Sequence, residues 1–203
     1  MFSNIQLNWN LTKKEGMSSS HRTVSAEKMQ EEWLEIQAAQ DNPALFRPLY
    51  NRYYEPIFRF VFRRTADEVL SADICSQIFL KAMQRLAAYD YRGVPFSAWL
   101  YRIASNEVAQ YYRARTKNRV VSIEETNLGD MMEEMEEENN EQVYKQLIGA
   151  LDDLKDTDLQ LVEMRFFEQR PFKEIADILG ITESNAKVKT YRILERLKKK
   201  LTP

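Results

Sequence analysis

At 203 residues, 44% hydrophobic and 30% charged, the chain has room for one large or two small cores and the polarity of a globular protein in water. A single cysteine and a single histidine exclude a disulfide framework and a cysteine metal site, and a formal net charge of −2 argues against a uniformly basic nucleic-acid binder. No run approaches the roughly 20 apolar residues of a membrane span and no apolar signal core is present, so the expected compartment is the cytoplasm.

Residues 1–28 carry little apolar content and no helical period. They are expected to be disordered, or to precede a working start at Met17 or Met29, and His21 is given no role there. From Glu31 onward the apolar spacing predicts helices around Trp33 and over 44–64, 71–86 and 96–117. Cys75 sits in the apolar pattern of the third, beside Ile74 and Ile78. Glycine is scarce and no alternating Val/Thr/Ile runs appear, which makes sheet improbable. Gly93 and Pro95 break the helical pattern over 89–95, and Phe96 restarts it, so this is a short shaped loop.

The stretch after that loop is amphipathic in an unusual way. Leu100, Ile103, Ala104, Val108, Tyr111 and Tyr112 form an apolar stripe, while Arg102, Asn106, Gln110 and Arg113 line a polar one. Aromatics interleaved with cations suit single-stranded nucleic acid, because each unpaired base can stack for about 1–3 kcal/mol while the cations follow the phosphates. Trp99 reads as a core aromatic. Tyr111 and Tyr112 fit either the rim of the core or a base contact.

Next comes a segregated charge pattern. From 123 to 142 the acids Glu124, Glu125, Asp130, Glu133, Glu134, Glu136, Glu137, Glu138 and Glu141 occur with no Lys or Arg among them. The cations Arg113, Arg115, Lys117 and Arg119 precede this run, and Lys187 to Lys200 closes the chain. Like charges extend a linker by repulsion, so 119–141 is expected to be a flexible, solvated tether.

After it, segments 143–154 and 157–167 are amphipathic, followed by two helices broken at one glycine. Phe172, Ile175, Ala176 and Leu179 recur at core spacing, and Gly180 supplies a left-handed residue that ends the first of the two. Thr182 is a suitable N-cap for the second. There Ala186, Thr190, Ile193, Leu194, Leu197 and Leu201 share one side, and Lys189, Arg192 and Arg196 project from another. Ser184, Asn185, Lys187 and Lys189 occupy the first turns, where a reading helix carries its base contacts. The expected DNA-facing set is Thr182, Glu183, Ser184, Asn185, Lys187, Lys189, Arg192 and Arg196; a scaffolding helical hairpin with its lysines on a solvated face is the other reading. The fold class is all-α: two small helical domains, 29–118 and 142–203, joined by the acidic linker 119–141, the carboxyl-terminal one a helix-turn-helix.

Three strings together resemble a known family: Leu49-Tyr-Asn-Arg-Tyr-Tyr-Glu-Pro-Ile-Phe-Arg-Phe, Ala72-Asp-Ile-Cys-Ser-Gln-Ile-Phe-Leu-Lys-Ala, and Phe96-Ser-Ala-Trp-Leu-Tyr-Arg-Ile-Ala-Ser-Asn. They are similar to region two of the bacterial RNA polymerase sigma factors of the sigma-70 family, extracytoplasmic function group, and 151–201 resembles region four. The resemblance implies a transcription initiation factor that binds core RNA polymerase and directs it to promoters. Its amino-terminal domain would melt and read the minus-ten element, and its helix-turn-helix would read the minus-thirty-five element as duplex. It implies a base-accepting loop at Tyr91, Arg92, Gly93, Val94 and Pro95, with Arg102, Asn106, Gln110 and Arg113 holding adjacent bases and phosphates. Flipping a base costs a few kcal/mol of stacking that the pocket must return.

For polymerase the matching positions are Asp73, Ser76, Gln77 and Phe79. Ser76 and Gln77 stand where the family has glutamine and glutamate, and Phe79 is favoured as a core residue. Gln169 replaces a usual glycine and Pro171 a usual serine just before the hairpin. The family's linker threads the polymerase cleft, and an acidic strand there could imitate nucleic acid; a merely solvated spacer is the other reading. An anti-sigma partner is implied as well. The alternative function is a stand-alone helix-turn-helix regulator on duplex operator DNA. With no phosphate-cradling glycine loop and no carboxylates fixed by a core, no enzyme, cofactor or metal is expected.

Overall fold

The computed structural model describes residues 24–115, 125–137 and 141–201, and among these the secondary structure is helical with no strand. The expectations placed on 1–23, with His21, on Lys117 and Arg119, and on the linker at 116–124 and 138–140 lie outside the described residues.

The front unit is built from four helices. The first, α1 (Ala26–Asp41), starts where the Ser25 side chain accepts a hydrogen bond from the Lys28 amide at 3.3 Å, a cap of the kind that contributes about 1 kcal/mol. This is five residues before the periodicity alone becomes visible at Glu31. A 3-10 turn at Pro43–Phe46, capped by Asn42, leads into α2 (Arg47–Thr65). Pro56 lies inside α2 and deprives the helix of one backbone donor. Ala66, in the left-handed region at φ 49°, ends it. Asp67 then caps α3 (Glu68–Arg85) by accepting from the Leu70 amide at 3.0 Å. After the loop, α4 (Phe96–Arg115) packs against α2 and α3. Leu49, Ile57, Val61, Ile78, Leu100 and Val108 are wholly buried between them.

The linker departs from expectation. Rather than a tether solvated throughout, it carries a helix, α5 (Glu125–Glu134), followed by a turn. Leu128, Met131, Met132 and Met135 are buried, at spacings of three, one and three, which place them on one side of a helix. That side docks on the turn at Glu163–Phe167, and Glu133, Glu134 and Glu136 are exposed to water. Burial of four apolar side chains outweighs the self-repulsion that an extended chain would relieve, at about 1.5–3 kcal/mol for each large one.

The rear unit comprises α6 (Glu141–Asp152), α7 (Asp156–Val162), a π-helical turn at Glu163–Phe167, α8 (Phe172–Leu179) and α9 (Glu183–Leu201). Pro171 stands just before α8, where its missing donor costs nothing, and its carbonyl accepts from Glu174 and Ile175. At the far end Gly180, φ 66°, closes α8: the Ile181 amide reaches back to the Ala176 carbonyl at 3.0 Å and the Gly180 amide to Asp177. The buried side of α9 consists of Ala186, Thr190, Ile193, Leu194, Leu197 and Leu201, the six residues that periodicity indicates. On α8 the buried set is Glu174, Ile175, Ala176 and Ile178, with Phe172 and Leu179 only half-buried. The expected stripe is rotated because α8 has neighbours on two sides, α9 and α4.

Candidate nucleic-acid interface

The loop from Tyr89 to Pro95 is anchored from behind by α1. Gln40 Nε2 donates to the Leu86 and Tyr89 carbonyls at 2.9 and 2.8 Å. Trp33 packs 6.0 Å from Tyr89 and 6.2 Å from Tyr91, and Tyr89 in turn sits 4.9 Å from Trp99 and 5.2 Å from Phe96. Burial, more than any charge nearby, pushes the Tyr89 phenol upward, so it stays protonated. No local pattern signals Gln40 or Trp33, because both act across distance in the chain.

Of the loop residues, Arg92 is exposed, Tyr91 and Gly93 are half-buried, and Val94 and Pro95 are buried. Gly93 lies in the left-handed region at φ 70°, which a β-carbon would strain. Val94 and Pro95 therefore shape the loop from within, and only an edge of Val94 reaches the cleft beside it. A cleft of ≈ 80 Å³ beside the loop is lined by Tyr89, Asp90, Arg92, Val94, Trp99, Arg102 and, from α8, Asp177.

Along α4, Asn106, Gln110 and Arg113 are all exposed, and their spacing of four and three aligns them. Arg102 continues that row but is only partly exposed: its guanidinium donates to the Asp177 carbonyl and pairs with the Asp177 carboxylate at 3.0 Å. Trp99 is half-buried in the aromatic cluster, as expected of a core residue. Tyr112 donates to the Arg64 carbonyl and packs edge-on to Tyr111, which places both at the rim of the core.

On α3, Asp73, Ser76 and Gln77 are exposed together, and Leu80, half exposed, extends their face by one turn. Phe79 is not part of it. It is buried, 4.8 Å from Tyr50 and 6.0 Å from Tyr54, and belongs to the core.

The helix-turn-helix presents a second polar surface. The Asn185 amide donates to Thr182 Oγ1 at 3.2 Å, so Thr182 is the N-cap of α9. Thr182, Glu183, Ser184, Asn185, Lys187, Lys189, Arg192 and Arg196 are all exposed. Lys187, Lys189 and Arg192 have no ion pair among the described residues, whereas Arg196 is held by Asp158 of α7 at 2.5 Å. Lys189, Arg192 and Arg196 line an open groove along the helix together with Asp158 and Glu195. Among the described residues no three His, Cys, Asp or Glu side chains converge as a metal site.

The family model for Sigma-70 region 2 matches residues 49–118, and that for Sigma-70, region 4 matches residues 150–199. These two stretches hold the supported loop with α3 and α4, and the helix-turn-helix with its exposed cations. The chain belongs to the extracytoplasmic function group of the sigma-70 family. As a sigma factor it is an initiation factor that directs RNA polymerase to promoters.

Among characterised sigma factors, RNA polymerase sigma factor YlaC of Bacillus subtilis is 30% identical over 158 residues, 76% of this chain and 90% of YlaC. ECF RNA polymerase sigma factor BldN of Streptomyces coelicolor is 27% identical over 186 residues, 87% of this chain and 69% of BldN. Of solved structures, CnrH in complex with the cytosolic domain of CnrY superposes with a TM-score of 0.54 at 19% identity, covering 81% of this sigma factor and 94% of that chain. It shares the fold.

Proposed function

We propose that this sigma factor divides promoter recognition between its two surfaces. The loop at Tyr91, Arg92 and Gly93, with the row Arg102, Asn106, Gln110 and Arg113, takes the unpaired minus-ten strand. The exposed face of α9, from Ser184 to Arg196, reads the minus-thirty-five duplex. Asp73, Ser76 and Gln77 on α3 meet core polymerase. The observation that supports this division is the pairing, in one chain, of an aromatic-backed loop continuous with an exposed polar row and a capped helix carrying unpaired cations. The first suits bases already separated; the second suits a closed major groove.

No chemistry is assigned to the protein itself: its role is binding and positioning, in the cytoplasm, where the polymerase works. A stand-alone operator binder would have no use for the loop and its row. CnrH, of the same fold, is held with the cytosolic domain of CnrY, and this supports an anti-sigma protein as a regulatory partner here. The deciding experiment is transcription in vitro with purified core polymerase and a genomic template library, start sites being read by sequencing. Initiation at a discrete set of sites sharing two spaced elements is the expected result. No sigma-dependent start sites, or binding that persists as a duplex-only footprint, would return the chain to the operator-binding class.

A further inference from the structure

Around the axis of α9 the side chains follow a definite order. Ala186, Thr190, Ile193, Leu194, Leu197 and Leu201 mark the buried side. At about 100° per residue, Val188 falls about 170° around from the middle of that side, almost opposite the core. Lys187 and Lys189 stand on its two flanks, about 70° and about 90° from the same middle in opposite senses. Ser184 and Arg192, both exposed, lie one turn before and one turn after Val188, about 6 Å along the axis each way. The residue that points most directly away from the core is therefore an apolar one, 44% exposed, among polar and charged neighbours. Tyr191, the other exposed large apolar residue of α9, is engaged by α8: its ring lies 6.4 Å from that of Phe172.

We infer that Val188 is a specificity-determining residue, reading the C5-methyl group of a thymine inside the minus-thirty-five element. This rests on the duplex reading of α9 given above. A helix laid in a major groove about 12 Å wide turns the side opposite its own core to the base edges, and its flanks to the phosphate walls. Lys187 and Lys189 then straddle the groove, and Val188 meets the floor between them. Valine has neither donor nor acceptor, so the feature of that floor that complements it is the thymine methyl. A guanine, adenine or cytosine edge at the same place would give up water from its ring nitrogen, carbonyl or amino group with nothing in exchange. The contact thus joins an attraction for one base to a penalty against the other three. Ser184 and Arg192, a turn away on each side, reach the flanking base pairs, which places the thymine within the element and not at its edge.

Val188→Ala removes the contact at an exposed position and puts a better helix former there, so the variant keeps its fold. The probes are duplexes carrying the minus-thirty-five element mapped in the transcription assay, with each thymine replaced in turn by deoxyuridine, which lacks only the methyl. Binding of the holoenzyme is measured by competition at fixed salt. For wild type the expected result is a position at which loss of the methyl lowers affinity about fourfold, the worth of one buried methyl group. Val188→Ala should bind the thymine and deoxyuridine duplexes alike at that position and respond as wild type does elsewhere. A mapped element with no thymine common to its members, no position sensitive to loss of the methyl, or the same sensitivity in Val188→Ala would each overturn the assignment. A scrambled duplex is a separate arm: holoenzyme that does not prefer the mapped element over it removes the minus-thirty-five reading itself, whereas a preference without a methyl effect removes the role of Val188 alone.

Discussion

Arg64 and Glu163 stand ninety-nine positions apart in the chain, and the Arg64 Nε donates to Glu163 Oε1 at 3.1 Å in a site that excludes water. Removing one member strands the other as a buried charge, which costs about 3–5 kcal/mol while the contact remains closed. Replacing both with apolar side chains of similar volume is nearly neutral by the same reasoning. Arg64→Met is therefore expected to be strongly destabilising, and Arg64→Met with Glu163→Leu much less so. Urea titrations of the wild type, the two single variants and the double variant give the coupling energy. A coupling near zero would mean that the two groups do not meet in solution.

On α9, Lys189→Ala and Arg192→Ala should each weaken binding of the holoenzyme to minus-thirty-five duplex. Removing a side chain that touches a base costs about 1–3 kcal/mol and relaxes sequence preference at one position, whereas removing one that touches a phosphate reduces the salt slope by about one. Measuring affinity at several salt concentrations on matched and mismatched duplexes separates the two. Affinity and slope both unchanged would remove these residues from the interface.

Gln169 sits at φ 52°, in the left-handed region, between the π-helical turn and Pro171. The family's usual glycine at this position has a backbone reason here, since a β-carbon in that region costs roughly 1–2 kcal/mol. Gln169→Gly should stabilise the rear unit by about 0.5–1 kcal/mol after the added freedom of the unfolded chain is subtracted. Thermal unfolding of the variant would show a higher midpoint, and a lower one would mean that the 3.4 Å contact of Gln169 with Asp130 matters more than the strain.

How much of this is legible in the sequence depends on distance along the chain. The buried side of α9 and the glycine that ends α8 can be read because both are local: a 3.6-residue period and one left-handed residue. Helix α5 is equally local, since Leu128, Met131, Met132 and Met135 carry the period, but the acids between them dominate the composition. The contacts of Arg64 with Glu163 and of Arg102 with Asp177 cannot be read, because nothing local links their partners. For the same reason the spacing along α4 presents Arg102 as an exposed member of the polar row.

Cys75 is wholly buried in α3, and burial pushes its thiol from 9.0 up to about 12. The folded protein therefore holds the thiol neutral, while the unfolded chain ionises it near pH 9. Between pH 9 and about 12 the unfolded state binds fewer protons than the native one, so stability falls as pH rises through that window. Cys75→Ala should flatten this part of the stability curve. At about pH 8, where the unfolded thiol is already partly ionised, an alkylating reagent should modify the native thiol far more slowly than the urea-unfolded one. Equal rates would place Cys75 at the surface.

Two of the three tryptophans, Trp33 and Trp99, flank Tyr89 at 6.0 and 4.9 Å, and the third lies outside the described residues. An indole so near the loop is a built-in optical gauge. Its emission wavelength and its quenching by a stacked nucleobase would register the arrival of a flipped-out base without any dye attached. Because Trp33 belongs to α1, ahead of the segment matched as region 2, that signal would also tell whether the first helix moves when the strand is taken up.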